Sequence, residues 1–380
     1  MTAHAPRRRP RAGSTLALPA LAIVLSSFAA GAPPSSSDVV RKAGDEYWAF
    51  LEREDLNVRV QEGLPVDRLP DISLKHVEES AAFGRSLEAE LARASEKDLS
   101  HEEQLSLAIL REQARVLADA PSRYWLTFLM TPYAFQALGV NLALASHPFV
   151  GRPDAEHYLA LASQYADLVR AFETKLREQE KRGIRLPKEE IPLVAGAFAS
   201  LGKEKNQNFL WVDGARLGLL AAPDREWFSN QLAETIDSRV RPAVSSLVTD
   251  ISGDYASGAP SAVGLAQYPG GSGYYRALAR RTTSPDAKPE EIHKLGLAAV
   301  ERLNTELDAL RQKVGFTGTL SDFRRFLKTD SRFFAKTPEE VGERLLAAQN
   351  RITPRVPDFF GKTPRALYGV ERLEPELEGR

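Results

Sequence analysis

Between residues 289 and 314 the apolar positions Ile292, Leu295, Ala299, Leu303, Leu307, Leu310 and Val314 recur every three or four residues. That is the helical period, and it places all of them on one stripe of a long helix. The ends agree with the middle. Pro289 suits the first helical position, where a missing N–H costs nothing, and Glu290 and Glu291 favour the positive end of the helix dipole. Gly315 is a stop signal. The pattern predicts one continuous helix over 289–314, packed through its Ile/Leu stripe.

The same spacing extends over most of the chain. Helices are expected over residues 39–51, 74–94, 155–182 and 189–201, with another over 225–255 interrupted near Pro242. Ser100 with Glu103 forms a capping box at the head of a helix reaching about residue 117, and Thr337 with Glu340 forms a second. Gly183 ends the long helix that begins at Ala155. No alternating run marks a strand, and no fixed-period repeat marks a solenoid. The expected class is all-α, a multi-helix scaffold forming one helical domain over 39–380.

The chain has 380 residues, enough to bury a sizeable core. Its net charge of -1 gives no bias toward nucleic acid. Cysteine is absent, which excludes disulfides, a thiolate nucleophile and a cysteine metal site. Arg7, Arg8, Arg9 and Arg11 precede an apolar run over 16–28 and the small residues Ala29, Ala30, Gly31 and Ala32. That order is a secretory signal peptide, expected over 1–32, with a polar linker over 33–38. The apolar run is shorter than the roughly 20 residues that span a bilayer, so no stable membrane span is expected after cleavage. The expected destination is periplasmic or extracellular.

Histidine supplies no metal site by spacing. His101-Glu102-Glu103-Gln104 begins like the zinc signature H-E-x-x-H, but Leu105 stands where the second histidine belongs. The others beyond the expected signal peptide, His76, His147, His157 and His293, have no partner at chelating helical spacing. No G-x-S-x-G elbow occurs, and Gly270-Gly271-Ser272-Gly273 lacks the Gly-Lys-Ser/Thr of a phosphate loop. Gly271 and Gly273 serve either a tight turn or a loop that approaches a ligand. Tyr274 and Tyr275 follow directly, and one of their hydroxyls is a candidate for a cleft. His293, in the first turn of the 289–314 helix, is a candidate structural or cleft histidine. No catalytic residue and no metal ligand is assigned.

A set of short segments in fixed order resembles a bacterial family, domain of unknown function 885. They are residues 64–71 (LPVDRLPD), 136–140 (QALGV), 183–188 (GIRLPK), 241–243 (RPA), 264–265 (GL) and 269–275 (PGGSGYY), followed by 282–283 (TT), 289–293 (PEEIH), 295–296 (LG) and 337–340 (TPEE). The resemblance implies an exported, all-helical protein similar to zinc metallopeptidases of the H-E-x-x-H type. In that family the zinc-binding helix follows the region resembling 364–368. Here the sequence closes at Arg380 without it, so the resemblance implies a chain that is catalytically inactive as written, with zinc expected only in full-length relatives. It also makes Tyr274, Tyr275, His293, Gly271 and Gly273 candidates to line a cleft for a peptide-like ligand. The alternative is a stand-alone exported helical binding module.

Overall fold

The computed structural model describes residues 34–373 apart from 205, 206, 285 and 367. The expected signal peptide lies outside these residues. Every regular element is helical, with no strand among the described residues, so the fold is all-α. No helix among them is long and apolar enough to cross a membrane. The chain divides into two compact units, residues 1–274 and 275–380.

The first unit opens with α1 (Ser36–Glu54). Ser35 caps it by accepting the Asp38 amide, so the three residues from Ser36 to Asp38, expected in the linker, are already helical. Asp55 then caps α2 (Leu56–Gln61) through the Asn57 and Val58 amides. The next two helices, α3 (Leu74–Leu91) and α4 (His101–Arg123), pack along one another. Gly84 permits their close approach: a Cβ there would stand 2.7 Å from the Ala114 carbonyl oxygen. Val39, Val40 and Ala43 of α1 bury against Leu87, Leu91, Leu107 and Leu110 of this pair. The expected capping box forms. Ser100 Oγ accepts from the Glu103 amide, and the Glu103 carboxylate accepts from the Ser100 amide at 2.8 Å.

Two short helices, α5 (Ala134–Ala137) and α6 (Val140–Ala145), lead into α7 (Arg152–Lys181). This helix is the axis of the main core. Tyr158, Leu161, Tyr165, Val169, Phe172 and Leu176 recur at helical spacing along it and are buried. They meet α8 (Ile191–Leu201), α9 (Ala222–Thr235) and α10 (Arg241–Ser252) through Val194, Phe198, Phe228, Leu232, Val244 and Leu247. Each such side chain contributes about 1.5–3 kcal/mol of burial. Gly183, with φ 72°, turns the chain out of α7 at the expected position.

The interruption expected near Pro242 is a widened turn rather than a break. Residues Ile236–Val240 form a π-helical segment that joins α9 to α10. Pro242 has no N–H for the carbonyl one turn back and its ring crowds that group, and one wide turn relieves both problems. A short α11 (Asp254–Ser257) follows. Next comes α12 (Gly271–Thr282), within which the boundary between the units falls.

The second unit contains α13 (Pro289–Lys313), α14 (Leu320–Thr329) and α15 (Pro338–Ile352). Phe316, Phe323 and Phe326 cluster where α13 turns into α14. Among the unit's described residues Phe323 alone is fully buried. The long helix expected over 289–314 forms, but the expected packing does not. No residue of α13 is buried, and Leu295, Leu303 and Leu310 are 71%, 52% and 52% exposed. Periodicity reports an apolar face, not the presence of a partner, and among the described residues no element covers this one. At α15, Thr337 caps as expected through the Glu340 amide, whereas the Glu340 carboxylate reaches the Lys336 amide one residue earlier than a capping box requires.

Candidate functional site

The glycine-rich segment is the start of a helix. Gly271 is buried as the first residue of α12, and a Cβ there would stand 1.7 Å from the Leu265 carbonyl oxygen. The close approach is to the chain's own backbone. Gly273 faces open space. Tyr274 joins a small apolar cluster with Leu126, Tyr268 and Trp125, and its hydroxyl lies 3.1 Å from Thr127 Oγ1. Arg123 stands over its ring at 5.9 Å. Tyr275 and His293 are both exposed and belong to the second unit, whereas Tyr274 closes the first.

Among the described residues the histidines gather only as a pair. His147 and His157 have ring centroids 5.4 Å apart, and His147 Nε2 lies 2.9 Å from the Asp154 carbonyl oxygen. Burial pushes the His147 pKa down, which favours the neutral ring in this setting. His76 lies 3.5 Å from Glu54. Among the described residues no three His, Asp or Glu side chains converge as a metal site would require.

Periodicity along α7 does place a different set of side chains together. Arg177, Glu180 and Lys181 line the outer face of that helix, and Thr249, Asp250 and Asp254 approach from α10 and α11. Together with Leu176, Gly253 and Tyr255 they enclose a cleft of about 580 Å³. Its floor is apolar and its walls carry both signs of charge. The geometry is rigid at one end. Arg177 donates to Glu173 at 2.6 Å and to Asp250, while Ser246 donates to Glu173 at 2.8 Å. The Arg177 hydrogen bond holds the Asp250 carboxyl below its ordinary pKa. Tyr255, its pKa raised by burial, accepts the Leu186 amide at 2.7 Å, which fixes the 183–188 segment beside the cleft. Lys181 and Asp254 are exposed at the rim.

Lys175, between Glu173 and Arg177 in sequence, is a buried cation. It is 5% exposed, its Nζ stands 3.9 Å over the Tyr124 ring, and burial lowers its pKa to about 8. None of these cleft residues was singled out from sequence. Their spacing on α7 reads as an ordinary charged helix face, and the contacts that make a cleft join residues 73 positions apart.

An all-helical body carrying a charged, open cleft on its longest helix defines the class. The chain belongs to the bacterial family of proteins of unknown function designated DUF885, whose profile matches residues 58–380. Among solved structures it is similar to a candidate lipoprotein from Colwellia psychrerythraea, with a TM-score of 0.71 at 18% identity. The similarity covers 87% of this chain and spans 61% of the length of that protein. At this identity the likeness concerns the fold. No curated protein matches the chain.

Proposed function

We propose that this chain provides an exported helical binding body for peptide-like ligands, within a family similar to zinc metallopeptidases. The observation that carries this reading is the cleft of α7, α10 and α11. Its apolar floor of Leu176 and Tyr255 suits side-chain packing, and its mixed charges suit the alternating donors, acceptors and charges of a peptide. The ionic groups at its fixed end are engaged with each other: Arg177 bridges Glu173 and Asp250. That arrangement supports a shape-holding role better than proton transfer. Tyr275 and His293, exposed, and Tyr274, with Gly271 and Gly273, stay as family-derived candidates for contact with the same ligand class.

Lys181→Glu and Asp254→Lys test the reading without touching the Glu173–Arg177–Asp250 network. Fluorescence anisotropy with a library of labelled mixed-charge peptides is the measurement. Each reversal is expected to change affinity by about fivefold, near 1 kcal/mol, and in opposite directions for acidic and basic peptides. Equal affinity in wild type and both variants would place binding elsewhere.

A further inference from the structure

We propose, resting on peptide binding in the cleft of α7, that the ligand crosses α10 into a second cleft on the α8 side, so that an extended peptide lies over α10 with one anchoring side chain on each flank. The second cleft measures about 520 Å³. Ala199 and Gly202, at the end of α8, line it together with Val244 and Val248 of α10. The charged pair in its wall is satisfied within the chain, since Arg241 donates to Asp237 at 3.0 Å. An aliphatic lining with its charges already paired suits an aliphatic side chain rather than a charged one.

The two clefts adjoin. Thr249 lines both of them. On an ideal helix Thr249 lies opposite the centre of the buried face formed by Ala243, Val244, Leu247 and Ile251, so it marks the crest of α10 between the clefts. That crest is low. The exposed residues of α10 are Pro242, Ser245, Ser246, Thr249 and Ser252, with no long side chain among them. Exposed helix positions are better filled by Lys, Glu or Arg, which favour the helix more than Ser or Thr does. Here the weaker formers leave a path over the helix. The hydroxyls also differ from those elsewhere in the fold. Thr174 and Ser238 donate back to carbonyls of their own helices, whereas Ser245 and Thr249 make no such bond among the described residues. Each can donate to and accept from the backbone of a peptide laid across them.

The geometry sets the ligand's pattern. Crossing a helix takes about 10 Å, or roughly three residues of extended chain. The ligand is therefore a peptide of at least about five residues, with an aliphatic anchor on the α8 side and its other anchor between α7 and α10.

Ser245 lines the second cleft and not the first, and it is exposed, so a bulky residue there blocks one flank alone. Fluorescence anisotropy is measured on the full chain with labelled mixed-charge peptides of about eight residues, each carrying one Leu at a varied position. Ser245→Trp should weaken the tightest of these about tenfold, the scale of one lost anchor, and Ser245→Arg should do the same. Ser245→Ala should bind as wild type does. Replacing the peptide's Leu by Gly should cost the wild-type chain about tenfold and the Ser245→Trp chain little more, because the anchor is already displaced. Two outcomes overturn the second cleft while leaving the first intact: Lys181→Glu alters affinity but Ser245→Trp and Ser245→Arg do not, or the losses from Ser245→Trp and from Leu to Gly simply add. If Lys181→Glu, Asp254→Lys and Ser245→Trp all leave affinity unchanged, peptide binding in the first cleft fails and the second cleft falls with it.

Discussion

Lys175 is a charge held where charge is expensive. Its side chain is buried beside Tyr124, and burial lowers its pKa from 10.5 to about 8. The unfolded chain therefore holds the extra proton between pH 8 and 10.5, so folding stability rises with pH across that window. Below it both states are protonated and the full cost of burying the ammonium is present. The contact with the Tyr124 ring offsets part of that cost. Lys175→Met should therefore stabilise the fold by about 1–2 kcal/mol at pH 7 and flatten the rise above pH 8. Chemical denaturation at a series of pH values measures both. A destabilised variant that keeps the alkaline rise would mean that Lys175 is not the titrating group. Nothing in the sequence distinguishes this lysine from the solvated charges around it. Glu173 is hidden in the same way, since its burial depends on Ser246 and Arg177 reaching it in the folded chain.

Helices with similar sequence patterns occupy very different surroundings. Both α7 and α13 carry long apolar stripes at helical spacing, yet α7 is the axis of a core and α13 buries nothing. Local signals were readable because their physics is local. Ser100 with Glu103, Gly183 and the disturbance ahead of Pro242 all depend on neighbours within one or two turns. Burial depends on distant partners and was not readable. A pair of substitutions separates the two helices. Phe172→Ala should cost about 3–5 kcal/mol, because the ring lies among Phe135 and Phe198 and its loss leaves a cavity. Leu303→Asp, at a position 52% exposed, should change the stability of the monomer by less than about 0.5 kcal/mol. Thermal melts read the difference. A large loss from Leu303→Asp there would mean that α13 is packed within one chain.

The all-helical class and the family were both legible from scattered short segments, since each segment needs only its own turn or cap to be recognised. The cleft was not, because it is assembled by helices whose contacting residues are 73 positions apart. At the scale of the whole molecule the proposed function is peptide binding, without zinc-dependent cleavage by the residues described. A single mass-spectrometric experiment reads both properties together. The full chain is incubated with a mixed-charge peptide library and added zinc, then separated from unbound material. Bound peptides and their termini are sequenced, and metal is quantified in the same fraction. The account predicts a bound subset recovered intact, with no stoichiometric zinc retained. New peptide termini that appear only with zinc, together with about one zinc held per chain, would contradict it.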